Sequence, residues 1–133
     1  MLFTRASEYA LLSLVLIARK NEPMGTDTLS KQLGISKSFL AKILQNLARK
    51  NILKSFKGAS GGFILAKKPD KISIREIAEA AEGKQISVFD CSTDLGCCPS
   101  NKGQFCLLWP FLNKLQNKID TFLEDLTLKD IME

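Results

Sequence analysis

The 133-residue chain contains no histidine, so it has no imidazole to serve as general base or metal ligand. It also lacks a phosphate-cradling loop. Gly58 to Gly62 is glycine-rich, but no Lys-Ser/Thr follows it and its flanks read as a hairpin. No paired carboxylates sit on a recognisable scaffold, and these absences together leave no support for an enzyme. Long hydrophobic runs are missing as well. The longest, Tyr9 to Ala18, is interrupted by Ser13 and falls far short of the ~20 residues of a membrane span. The opening Met1-Leu2-Phe3-Thr4-Arg5 has no cleavable signal layout, which predicts a cytoplasmic protein with no membrane partner.

Acidic residues are scarce over the first 75 positions. Only Glu8, Glu22, Asp27 and Asp70 stand there against fourteen Lys or Arg, for a charge of +10. Residues 76–133 carry five Lys against ten acids, for −5. A basic first part followed by an acidic second part predicts that the first part faces a polyanion. Cysteine is absent except within one sixteen-residue stretch that holds Cys91, Cys97, Cys98 and Cys106. The surrounding Gly, Ser, Asp, Asn and Pro mark a loop. In a reducing compartment such a cluster reads as metal-binding or redox-active rather than as a disulfide framework.

The apolar fraction of 45% is enough for a packed core, and its spacing predicts the elements. Thr4 to about Lys20 reads as a helix apolar nearly all round, stopped by Asn21-Glu22-Pro23. Thr26 is the expected N-cap of a second helix that ends at Gly34, and Ser36 the N-cap of a third through about Lys50. In the third, Phe39, Leu40, Ile43, Leu44 and Leu47 share one face, opposite Lys37, Ser38, Ala41, Lys42, Gln45 and Arg49. A short helix, a glycine turn and a helix with one polar-basic face is the helix-turn-helix pattern, and such a face suits a DNA major groove. Residues 52–57 and 63–66 flank the glycine-rich centre as a β-hairpin, a wing with Lys57 at its edge for a minor groove or a phosphate. Ser73-x-x-Glu76 is a capping box that opens a helix from Ile74 to Glu82, closed by Gly83. Leu108, Leu112, Leu115, Ile119, Phe122 and Leu126 then form a heptad seam, with Pro110 tolerated in the first turn. Pairing of this helix with a second copy is the preferred expectation, and it matches the two-fold logic of palindromic operators.

The fold class expected is therefore mostly α with a small β-hairpin wing: a winged helix-turn-helix domain plus a long C-terminal dimerisation helix. The divisions are 1–83 for the DNA-binding domain, whose helix 4–20 also packs on the dimer helix, 84–107 for the cysteine loop, and 108–133 for the dimerisation helix and tail. Ser38, Lys42 and Gln45 are expected at base edges or adjacent phosphates, and Lys37, Arg49 and Lys57 mainly at the backbone or minor groove.

In this order the motifs resemble those of the Rrf2 family of bacterial winged-helix regulators, of the IscR and NsrR type. The carriers are Leu2-x-Thr4-x-x-x-x-Tyr9-Ala10, Gly34-Ile35-Ser36-x-Ser38-Phe39-Leu40, Lys57-Gly58-x-x-Gly61-Gly62-Phe63-x-Leu65, Cys91-x5-Cys97 and Leu126-Thr127-Leu128-Lys129-Asp130-Ile131. The resemblance implies a repressor on double-stranded DNA, controlled by an iron–sulfur cluster that senses redox state, oxygen, nitric oxide or iron supply. It leaves two-iron and four-iron clusters both open. Three loop cysteines would ligate, with Cys91 and Cys97 matching the first two positions. The gap from Cys97 to Cys106 is longer than the family's, Cys98 is an extra candidate, and Trp109 stands where IscR-type members place a histidine ligand. The fourth ligand is then another of the four thiolates, or Glu8, which occupies the place of an N-terminal carboxylate ligand in NsrR-like members. The alternative is a cluster-free regulator of the same fold that uses a thiol switch, a zinc site or a partner protein. Where members contact DNA with a carboxylate, this chain has Ala41.

Overall fold

The computed structural model describes residues 3–58, 61–87 and 107–132. Six α-helices and one hairpin make up this part: α1 (Arg5–Lys20), α2 (Thr26–Leu33), α3 (Lys37–Arg49), β1 (Leu53–Phe56), β2 (Gly62–Leu65), α4 (Ile74–Glu82), α5 (Trp109–Asp125) and α6 (Leu128–Met132), with a 3-10 turn at Pro69–Lys71. It is mostly helical with a small antiparallel hairpin, as the sequence pattern predicts.

The helix ends follow local chemistry. Asn21, at φ 53°, and Gly34, at φ 69°, close α1 and α2 in the left-handed region. The Ser36 hydroxyl accepts from the Phe39 amide at 3.3 Å and opens α3. Helix α2 departs from expectation: Thr26 is its first helical residue, and Gly25 is the cap, without a side-chain hydrogen bond. Only half of the Ser73–Glu76 box forms. Ser73 Oγ accepts from the Glu76 amide at 3.0 Å, while the Glu76 carboxylate turns away to Lys67.

Leu14 and Ile17 of α1, Leu29 of α2, Leu40, Leu44 and Leu47 of α3, and Ile52, Ile72 and Ile77 meet in one core. Met24 adds a single bridge to the free edge of β2, its N–H donating to the Phe63 carbonyl at 3.1 Å and its carbonyl accepting back at 2.9 Å. That approach requires glycine next door. Gly62 has φ 147°, and a Cβ there would lie 2.5 Å from the Met24 carbonyl carbon.

The C-terminal helix corrects the heptad reading. Leu112 and Leu123 of α5 are buried and Ile119 packs on the core, whereas Leu108 and Phe122 are each 64% exposed and Phe111 is 60% exposed. Leu126 lies beyond α5, at its C-cap. Helix α5 therefore has two apolar sides, one used within the chain against α4 and one outward. After α5 the chain folds back: the Ile74 amide donates to the Leu126 carbonyl and the Leu128 amide to the Ile72 carbonyl, both at 2.9 Å. Leu128 is fully buried.

Candidate nucleic-acid interface and cysteine segment

Burial of Leu40, Ile43, Leu44 and Leu47 turns the other side of α3 to solvent. Lys37, Ser38, Lys42, Gln45 and Arg49 are all exposed there, with Ala41 half-buried at the centre of the face. Phe39 departs from the buried stripe on which the sequence pattern puts it. It is 41% exposed and stands edge-on to Tyr9 of α1, with ring centroids 5.8 Å apart. Sitting at the margin of the stripe, it meets Tyr9 on the flank of α1.

Lys37 is engaged: its Nζ lies 2.7 Å from Asp27 Oδ1 on α2. This hydrogen bond and the Lys37 charge, with a smaller contribution from Lys31, hold the Asp27 carboxyl below the usual carboxylate range. The pair is exposed, so it adds little to stability. It does remove from play the one acid between Glu22 and Asp70.

The wing pairs Leu53 with Leu65, Lys54 with Ile64, Ser55 with Phe63 and Phe56 with Gly62. Lys54 and Phe56 share its outer side by strand alternation, and the Lys54 ammonium sits 5.9 Å from the Phe56 ring centre. Phe56 is 44% exposed, and Lys57 follows it exposed at the end of β1. A groove of about 830 Å³ joins the two halves of the surface, lined by Lys20, Asp27, Gln32, Lys37, Gly58 and Gly61 among others. The fold thus sets the start of α3 and the turn of the wing around one concavity, in which Lys20 and Lys37 stand with Glu22 and Asp27. Sequence reading passed over Lys54, although its alternation with Phe56 was the available signal.

Cys91, Cys97, Cys98 and Cys106 lie outside the described residues. Glu8 is described and is not part of the groove. It is exposed on the first turn of α1, where the helix dipole favours a carboxylate. Among the described residues its carboxylate makes no hydrogen bond or ion pair, and no group of three His, Cys, Asp or Glu assembles. Its neighbour Ser7 is buried and donates to Glu82 Oε1 at 2.8 Å, and Thr4 donates to the same oxygen, so the start of α1 is tied to the end of α4.

The entrance to the cysteine segment is also tied down. Gln116, buried on α5, donates through Nε2 to the Ile86 carbonyl at 2.9 Å and to Asp120 Oδ1 at 2.8 Å. Arg75 of α4 reaches Glu79 at 3.2 Å, Glu124 at 3.8 Å and Asp120 at 3.9 Å. Partial burial works against the Arg75 charge, but these three carboxylates outweigh it and raise its pKa. Neither anchor was foreseen from sequence, because each joins residues far apart in the chain.

No described helix is long and apolar enough to cross a membrane. The Rrf2 family profile, described as an iron-dependent transcriptional regulator, matches residues 3–133. A protein of Aquifex aeolicus (strain VF5) that carries an HTH-type transcriptional-regulator name is 30% identical over 99% of this chain and 92% of its own length. The HTH-type transcriptional regulator IscR of Escherichia coli is 25% identical over 99% of this chain and 80% of its own. Two solved structures share the fold, each at 21% identity over 99% of this chain. They are T. potens IscR, with a TM-score of 0.73 and 86% of its chain covered, and CymR, titled the global cysteine regulator of B. subtilis, with 0.72 and 96%.

Proposed function

The chain belongs to the Rrf2 family of transcriptional regulators, and from that premise we propose that it is a homodimeric repressor whose grip on a palindromic operator is set by an iron–sulfur cluster on its cysteine segment. It is a winged-helix DNA-binding regulator and not an enzyme. The observation that carries the reading is the exposed face of α3, free of acids and joined by one groove to the wing, where Lys54 and Lys57 are exposed. In this reading Ser38, Lys42 and Gln45 meet base edges or nearby phosphates, while Lys37, Arg49 and Lys57 hold the backbone or minor groove. Residues 1–83 bind DNA, 84–107 carry the cluster, and 108–133 supply the dimerisation helix and tail. The outward strip of Leu108, Phe111 and Phe122 supports pairing, since an apolar helix face of this kind is stable when a second copy covers it.

The donor set fits the group. Thiolates are the preferred ligands of iron–sulfur clusters, and four of them lie within sixteen residues. Cys91, Cys106 and either Cys97 or Cys98 would hold it, completed by the remaining thiolate or by Glu8, which is exposed on α1. When bound, the cluster supplies a redox- and ligand-sensitive centre. The chain's own part is mechanical. Gln116 and Arg75 link the entrance of the segment to α5 and α4, so a change in the segment reaches the elements that carry α3.

Anaerobically purified protein is expected to be coloured and to contain iron and acid-labile sulfide. Cys91→Ser and Cys106→Ser are expected to be colourless, and Glu8→Ala to show an altered spectrum. A colourless, iron-free protein after reconstitution sinks the cluster. The pair of adjacent thiols at Cys97 and Cys98 favours a second reading, a zinc site or thiol switch, which predicts bound zinc or redox-dependent DNA affinity without colour.

For the interface, Lys42→Ala is expected to lower specific affinity about tenfold. Lys57→Ala is expected to weaken binding to all sequences and to reduce the log–log salt slope by about one. Fluorescence anisotropy across a salt series reads both, and unchanged affinity in both variants tells against this docking.

A further inference from the structure

The face of α3 is chemically one-sided. Lys37, Lys42 and Arg49 donate only, Ser38 and Gln45 donate or accept, and no residue of the helix is acidic. The neighbouring acid, Asp27, is held by Lys37 at 2.7 Å. The surface therefore has no carboxylate to accept from the exocyclic amine of a cytosine. At its centre stands Ala41, half-buried, with a methyl group as its whole side chain. Gln45 lies one turn further on and is exposed. Four residues of helix rise about 6 Å, close to two base-pair steps of about 3.4 Å each.

Resting on the DNA-binding reading above, we infer that the centre of α3 reads A·T pairs: the Ala41 methyl packs on the 5-methyl of a thymine, and the Gln45 carboxamide pairs with N6 and N7 of an adenine one or two steps away. Each partner is the base edge that matches what the residue offers. A methyl contacts a methyl in the major groove, and an amide forks onto adenine. Without a longer side chain at 41, the helix axis can approach close enough for both contacts.

The test selects sites from a random duplex pool with the full-length protein, in cluster-loaded and metal-free forms. Half-sites with a thymine and an adenine at that separation are expected. Deoxyuridine, which lacks the 5-methyl, is then placed at each thymine in turn. One thymine per half-site is expected to weaken wild-type binding roughly fourfold, the weight of one buried methyl group. In Ala41→Gly that thymine-to-uracil ratio is expected to fall to about one. The ratio is taken within one variant, so any loss of helix stability cancels. Likewise, 7-deazaadenine at the paired adenine is expected to weaken the wild type but not Gln45→Leu. Half-sites lacking that thymine–adenine pair, uracil tolerated at every thymine, or a ratio unchanged in Ala41→Gly each overturn the inference. Recovery of no sequence at all overturns instead the DNA-binding reading on which it rests.

Discussion

Gly62→Ala is expected to lower stability by about 3–5 kcal/mol, the combined cost of a strained positive φ and a backbone clash. The physical cause is narrow. Gly62 holds φ 147°, and an added Cβ would meet the Met24 carbonyl carbon at 2.5 Å, its oxygen at 2.6 Å and the Gly25 nitrogen at 2.8 Å. None of these is a flexible side-chain end, so the clash is relieved only by pulling β2 away from Met24. That movement breaks the two hydrogen bonds between Met24 and Phe63 and detaches the wing from the start of α2. Thermal unfolding followed by circular dichroism is expected to show a Tm lower by roughly 10–20 °C. Gly58→Ala is the control. Its φ of 106° is also positive, but nothing lies within 4 Å of the added atom, so only strain of about 1–2 kcal/mol applies. Equal Tm values for the two variants would show that the close approach to Met24 is not what the glycine serves.

The second large effect is expected at the other end of the chain. Leu128→Ala is expected to cost about 3 kcal/mol, because the side chain is fully buried and its removal leaves a cavity that the surrounding helices fill only in part. Leu128 sits where the chain, having left α5, pairs with residues 72–74. Its amide bonds the Ile72 carbonyl, the Leu126 carbonyl accepts from Ile74, and Thr127 bridges Ser73. Three residues on, Ile131 is 41% exposed, and Ile131→Ala is expected to change stability by no more than about 0.5 kcal/mol. Urea unfolding of the two variants separates the cases. Similar midpoints would mean that the tail is not docked on the 72–74 segment. A docked tail also fixes the far end of α5 to residues 72–74, while Gln116 in the middle of the same helix holds Ile86, just before the cysteine segment.

How much of this was legible beforehand depends on the range of the interaction. Ser36, Gly34, Ser73 and Gly83 mark helix ends because a cap hydrogen bond or a left-handed residue acts within four positions of itself. The hairpin was legible because glycine tolerates turn and close-approach geometry and the flanks are apolar. The exposed face of α3 was legible because the helical period sorts residues by side. Phe39 was misplaced because period alone cannot say how wide the buried stripe is. That width depends on where α1 crosses, and Phe39 is left 41% exposed, edge-on to Tyr9. Thr26 was misplaced as a cap because Gly25 already has the extended backbone of that position.

By itself, then, the sequence determined the order of helices and wing, the acid-free face of α3, the partition of charge and the confinement of every thiol to one segment. All of these follow from local propensity, period and composition. Tertiary structure alone decided which groups meet across the chain: Lys37 with Asp27, Glu82 with Thr4 and Ser7, Gln116 with Ile86, and the tail with residues 72–74. It also decided that α5 spends one apolar side on its own core and turns Leu108, Phe111 and Phe122 outward. The reason is the same in each case. A side chain's chemistry limits the kinds of partner it takes, and the packing of one core determines which of those partners comes within reach.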